Sequence, residues 1–240
     1  MRWILSALFV FQMYLAMLVL GIVFFIPALF SPRAARMACK SFCAWVRLTA
    51  RVMVGLRSEV RGPVPDGEVL IAAKHQSFLD IILIFQALPS ARFIMKRELL
   101  FTPIIGQYAW RIGCIPVNRG KRGAAIARML SDVETRKADP GQLVIYPQGT
   151  RIAPGVKAPY KVGTAALYQQ MQQDCVPVAT NVGVFWPRTG IYRKPGLAVV
   201  EFLPPIPQGL GKEAFLDRLE TEVERESNRL MREAGFDAQD

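Results

Sequence analysis

Val69-Leu70-Ile71-Ala72-Ala73-Lys74-His75-Gln76-Ser77-Phe78-Leu79-Asp80-Ile81-Ile82-Leu83-Ile84-Phe85 sets the chain's single histidine between two apolar runs. The first run is small and β-branched and reads as a buried strand; the second reads as the start of a helix. A strand that hands over to a helix at a polar stretch is where α/β proteins place reacting groups. An imidazole titrates near physiological pH and can take a proton and return it. Asp80, five residues on, is out of step with His75 inside one helix, yet it can reach back across a turn from the first helical turn. A second reading of the same letters stays open. Ser77-x-x-Asp80 is a capping-box-like helix start, in which Asp80 serves the helix and His75 is a polar strand end.

Working outward, strand-like runs alternate with helix-like ones. The strands expected are Val69–Ala73, Arg92–Met95, Cys114–Val117, Gln142–Tyr146, Val176–Val184 and Leu197–Leu203. The helices expected are Leu79–Leu88, Leu99–Arg111, Gly123–Lys137 and Val162–Gln172, with an amphipathic helix over Phe215–Met231 closing the chain. This order implies an α/β fold with a mostly parallel sheet flanked by helices. The last strands, with few residues for a helix between them, are free to pair antiparallel.

The N-terminal part differs. Ile4 to Ile26 carries no charge, and as a helix it would be about 35 Å long, enough to cross a hydrocarbon core. No small-residue cleavage site marks it as a removable signal. After Pro27-Ala28-Leu29-Phe30-Ser31-Pro32, a turn with two prolines, Arg33–Leu56 reads as a second helix. Its Arg33, Arg36, Lys40, Arg47 and Arg51 fall on one face, the pattern of a basic stripe on anionic headgroups. The expected organisation is a two-helix membrane-embedded anchor over residues 1–57 and an α/β domain over 58–240. The basic cluster after the first segment keeps that domain on the cytoplasmic side of the inner membrane.

Composition agrees. The chain has 240 residues, a 52% hydrophobic fraction and a formal net charge of +11, with mean hydropathy +0.23. Basic and apolar excess together suit an anionic membrane surface or phosphate-bearing ligands. No zinc-ligand spacing, RNA-binding signature or basic-region heptad points to nucleic acid. Cys39, Cys43, Cys114 and Cys175 form no CxxC pair, and one histidine cannot complete a zinc set, so no metal is expected.

Two further stretches end strands with ligand-binding chemistry. Gly113-Cys114-Ile115-Pro116-Val117-Asn118-Arg119-Gly120 ends in a cation and a glycine. Tyr146-Pro147-Gln148-Gly149-Thr150-Arg151 ends in a turn where Gly149 lets the backbone approach a ligand and Arg151 supplies a bidentate cation. In a parallel sheet the C-terminal strand ends share one edge, so His75, Arg119 and Arg151 can converge into a phosphate-ester site with a base beside it.

As an ordered set these stretches resemble the glycerolipid acyltransferase family over roughly Val69 to Val184. His75-x4-Asp80 is similar to its His-x4-Asp motif. Lys96-Arg97-Glu98-Leu99 with Pro103 and Gly106 resembles its connecting segment. Arg119 corresponds to the arginine of its second motif, Gly149-Thr150-Arg151 to its third and Val176-Pro177-Val178 to its fourth. The hydrophobic and basic N-terminal helix pair is similar to the family's membrane anchor. One position departs: the third motif usually reads Glu-Gly-Thr-Arg, and Gln148 replaces the glutamate.

The resemblance implies transfer of an acyl group from acyl-CoA or acyl carrier protein to the sn-2 hydroxyl of 1-acylglycerol-3-phosphate (lysophosphatidic acid), giving phosphatidic acid at the bilayer. His75 is then the base and Asp80 its orienting partner. Arg119, Arg151 and Lys96 hold the phosphate, with Lys161 a weaker candidate. Gln148, Gly149 and Thr150 position the substrate. The thioester is a co-substrate, and no cofactor is implied. The alternatives are another acceptor such as lyso-ornithine lipid, a lipid hydrolase using the same base on water, and a non-catalytic lipid-binding protein of the same fold.

Overall fold

A computed structural model describes residues 1–118, 122–135 and 141–236. Seven strands of the described residues make one sheet in the order β1-β7-β6-β2-β5-β3-β4. They are β1 (Leu56–Arg61), β2 (Leu70–Ala73), β3 (Arg92–Lys96), β4 (Ile115–Val117), β5 (Leu143–Ile145), β6 (Cys175–Thr180) and β7 (Gly196–Phe202). All neighbours pair parallel except β6 with β7, which run antiparallel. Strand β2 lies in the middle, buried on both faces, with Ile71 and Ala73 in one core and Leu70 and Ala72 in the other. That two-sided burial is why its sequence is a continuous apolar run.

One face of the sheet carries α1 (Arg2–Val23), α3 (Pro32–Val54), α4 (Phe78–Ala87) and α5 (Ile105–Arg111). The other carries α6 (Arg122–Thr135), α7 (Val162–Met171) and α9 (Lys212–Glu233). The short α2 (Phe25–Phe30) links α1 to α3, and α8 (Val182–Phe185) follows β6. The sheet flanked by helices is therefore as expected.

Several boundaries are not. The double-proline turn is instead α2 followed directly by α3. Ser31 caps α3 by accepting from the Ala34 amide at 3.3 Å, and Pro32 sits at a first-turn position where its missing N–H costs nothing. Helix α3 ends at Gly55, in the left-handed region at φ 70°, and β1 starts at once. The expected boundary at residues 57 and 58 therefore falls inside β1. The helix expected over Leu99–Arg111 is a 3₁₀ turn (Arg97–Phe101) and then α5. Pro103 cannot donate in a helix interior, and a Cβ on Gly106 would lie 2.0 Å from the Leu100 carbonyl oxygen. Strand β6 stops at Thr180, because the Thr180 hydroxyl accepts from the Val182 amide at 3.2 Å and turns the chain into α8.

The expected basic stripe of α3 is also corrected. Lys40 Nζ donates to the Leu88 carbonyl at 2.8 Å and the Gln86 carbonyl at 3.3 Å. It thus satisfies the open C-terminal end of α4 with a positive charge. Arg47 donates to the Ser58 hydroxyl at 2.9 Å and to Gln86 Oε1 at 3.0 Å. Two of the five cations of the stripe are therefore turned onto the α/β domain. What α3 presents outward includes Trp45, Leu48 and Val52, beside Leu8, Phe11, Leu15 and Ile22 of α1. Among the described residues one helix, Arg2–Val23, is long and apolar enough to cross a membrane. It is fastened to the domain by polar contacts. The Arg193 amide donates to the buried Ser6 hydroxyl at 3.1 Å, and the Tyr108 hydroxyl donates to the Gly21 carbonyl at 2.9 Å.

Candidate active site

The end of β2 places His75 at the C-terminal edge of the sheet, with β5 on one side and β6 on the other. Helix α4 begins immediately. Asp80 is its third residue, fully buried, and its two oxygens divide the work. Oδ2 accepts from the Gln76 and Ser77 amides, both at 2.8 Å. Oδ1 lies 2.8 Å from His75 Nδ1. The Ser77 hydroxyl accepts from the Leu79 amide at 3.2 Å, completing a capping box. Both readings of the motif thus hold together: the cap fixes the carboxylate, and the fixed carboxylate orients the imidazole. A negative side chain at a helix N-terminus is also stabilised by the helix dipole. With Nδ1 facing Asp80, Nε2 is the ring nitrogen left for a reacting group.

Three further contacts make the loop rigid. The His75 ring stacks on Tyr146 with centroids 3.9 Å apart and planes at 18°. Tyr146 is pushed well above the usual phenol range, first by burial and then by the Asp80 charge, so it stays a neutral stacking surface. Lys74, 2% exposed, is ion-paired to Glu224 of α9, whose other oxygen accepts from the Tyr160 hydroxyl at 3.0 Å. Gln76 Oε1 accepts from the Gly183 amide at 3.0 Å. The residues on either side of His75 are thereby tied to α9 and to α8.

The turn after β5 comes next to it. The Gly149 amide donates to the Tyr146 carbonyl at 2.8 Å, and Gly149 sits at φ 69°, where a side chain is strained. A Cβ there would lie 2.6 Å from Lys161 Nζ, so the ammonium occupies the space that a side chain would fill. The Ile152 amide donates to the His75 carbonyl at 2.8 Å, which draws Arg151 alongside the histidine. Arg151 Nη1 donates to the Arg188 carbonyl at 3.2 Å. Gln148 is 4% exposed and turned inward, with Nε2 donating to the Ala158 carbonyl at 3.4 Å and Oε1 buried. No hydrogen bond joins it to Arg151.

The structure therefore joins His75, Asp80, Gly149, Thr150 and Arg151 in one place. Lys96 ends β3, two strands away; it is 50% exposed, with its ammonium 3.2 Å from Glu98. Arg119 lies outside the described residues. Two features were missed in the sequence. The Tyr146 stack could have been suspected from an aromatic ending the neighbouring strand. The Lys74–Glu224 pair spans 150 residues and left no local signal. Among the described residues, no group of three or more His, Cys, Asp or Glu side chains could hold a metal ion.

Comparison with known proteins fits this geometry. The family described as Acyltransferase matches residues 57–181. A 1-acyl-sn-glycerol-3-phosphate acyltransferase of Pseudomonas aeruginosa is 28% identical over 198 residues, covering 81% of this chain and 77% of the relative. The 1-acyl-sn-glycerol-3-phosphate acyltransferase alpha of Homo sapiens is 31% identical over 165 residues, covering 67% of this chain and 58% of its own. The chain thus spans little more than half of that longer relative. The crystal structure of a 1-acyl-sn-glycerophosphate acyltransferase from Thermotoga maritima superposes with a TM-score of 0.78, covering 95% of both chains at 19% identity. That likeness is one of fold.

Proposed function

The chain belongs to the acyltransferase family, and we propose that it acylates the sn-2 hydroxyl of 1-acylglycerol-3-phosphate to give phosphatidic acid. The observation that carries this reading is the His75 Nδ1–Asp80 Oδ1 contact of 2.8 Å, with the carboxylate held by two backbone amides. An alcohol is a weak nucleophile until a base removes its proton. His75 Nε2 takes that proton as the hydroxyl oxygen attacks the thioester carbonyl. Asp80 holds the tautomer and stabilises the imidazolium that forms. When the tetrahedral centre collapses, the carbon–sulfur bond breaks and the imidazolium returns its proton to the leaving thiolate. The hydroxyl belongs to the substrate, so no acyl-enzyme is needed.

Arg151 holds the acceptor's phosphate, and Arg119 and Lys96 are assigned the same task. Gln148, Gly149 and Thr150 shape the turn that carries Arg151. The outward apolar faces of α1 and α3 support a two-helix anchor over residues 1–57, with the domain of residues 58–240 on the cytoplasmic side of the inner membrane. The donor is acyl-CoA or acyl carrier protein. The test is a product assay on detergent-solubilised protein, with labelled acyl-CoA or acyl carrier protein as donor. Lysophosphatidic acid and lyso-ornithine lipid are offered as acceptors. Labelled phosphatidic acid is expected. Product from lyso-ornithine lipid alone would overturn the proposed acceptor, and release of free fatty acid alone would replace transfer with hydrolysis.

A further inference from the structure

The loop after α8 carries a cation that no sequence motif announced. Arg188 Nη1 donates to the Arg151 carbonyl at 3.3 Å, while Arg151 Nη1 donates to the Arg188 carbonyl at 3.2 Å. Each guanidinium is thus held against the main chain of the other arginine, so the two residues are neighbours across the two loops. Among the described residues neither forms an ion pair with a carboxylate. Two cations on adjoining loops with no carboxylate paired to them favour a bound anion.

Both arginines are tied to the reacting end of the site. Arg151 precedes Ile152, whose amide is bonded to the His75 carbonyl. Arg188 follows two residues after Trp186, whose ring meets Phe78 of α4 edge-on at 6.3 Å and Phe9 of α1 at 5.5 Å. The Arg193 guanidinium lies 4.3 Å from the centre of the same ring and locks the loop from the other side. The Gly183 amide, at the start of that segment, is bonded to Gln76. The pair therefore joins a segment bonded to the His75 loop with a segment packed against α4 and α1.

We propose that Arg188 is a second phosphate-binding residue, and that the Arg151–Arg188 pair selects an acceptor with a phosphate monoester over one with a phosphate diester. The inference rests on the acylation reading above. A monoester carries up to two negative charges, one for each guanidinium, whereas a diester headgroup carries a single charge.

The experiment measures steady-state acylation of lysophosphatidic acid and of lysophosphatidylglycerol by wild type, Arg188→Gln and Arg188→Lys. In parallel, lysophosphatidic acid binding is measured in a His75→Ala background, where no turnover occurs. Arg188→Gln is expected to raise KM for lysophosphatidic acid about tenfold, the loss of one charge-assisted hydrogen bond at a solvent-facing position. Its kcat should stay within about twofold, KM for lysophosphatidylglycerol should hardly change, and Arg188→Lys should recover part of the loss. Equal losses on both acceptors, or none, would overturn the role of Arg188. If wild type makes no phosphatidic acid, the acylation reading fails by itself. The binding arm then still decides the inference, since a tenfold weakening by Arg188→Gln supports it and unchanged binding refutes it.

Discussion

Asp80→Asn separates the structural task of this residue from its chemical one. The asparagine can keep its Oδ1 toward the Gln76 and Ser77 amides, where Asp80 Oδ2 accepts two bonds of 2.8 Å. An amide oxygen at this third helical position can accept the same two bonds, so the start of α4 should survive. The cost in stability is the lost charge at the helix N-terminus, about 0.5–1 kcal/mol. For a chain of this size that is a fall of roughly 1–4 °C in Tm. The other end of the amide is then an NH2 facing His75 Nδ1. Two donors cannot share that bond, so Nδ1 must become the acceptor and the proton moves to Nε2. A ring with its proton on Nε2 cannot accept one from the acceptor hydroxyl. The same tautomer error in a serine-protease triad costs about 10⁴ in kcat, and a loss of about 10³–10⁴ is expected here, equivalent to roughly 4–5.5 kcal/mol of barrier. Paired measurements of thermal unfolding and initial acylation rate check it. A variant that keeps more than a tenth of wild-type kcat would refute the orienting role of Asp80. A variant that unfolds would show that the cap cannot be satisfied by the amide.

Three other outcomes follow from the geometry. Glu224→Gln should cost about 3 kcal/mol, read by chemical denaturation, because it strands the charge of Lys74, which is 2% exposed. Lys74→Met combined with Glu224→Leu should recover most of that loss, and a loss confined below about 0.5 kcal/mol would show that Lys74 finds other company. Gly149→Ala places a side chain at φ 69° and displaces the Lys161 ammonium, so it should cost about 1–2 kcal/mol and lower activity through the turn bearing Arg151; unaltered Tm would contradict the strain. Burial raises the Cys175 thiol above its ordinary value. At pH 8 it stays protonated, so a disulfide reagent should label it only after denaturation, and rapid labelling of Cys175 in the folded protein would be inconsistent with the packing.

The parts legible in the sequence are those written locally. Strand β2 showed because a strand buried on both faces has no polar alternation to blur it, and His75 with Asp80 showed because one short turn joins them. Strand β1 is absent from the expected strands because Arg57, Ser58, Glu59 and Arg61 give it a polar edge-strand composition, and only pairing with β7 makes it a strand. The stripe on α3 was visible, but its direction was not, since only the position of α4 decides that Lys40 caps a helix end. The Arg151–Arg188 contact and the Lys74–Glu224 pair bring together residues 37 and 150 positions apart. Tertiary structure alone makes such partners.

The most direct test of the account is the acylation rate of His75→Ala beside wild type, with lysophosphatidic acid and a labelled thioester and with equal folding verified for both. The geometry predicts phosphatidic acid from wild type and a rate reduced by about 10³-fold or more in the variant. Phosphatidic acid formed at the wild-type rate by His75→Ala would contradict the mechanism built on the His75–Asp80 pair.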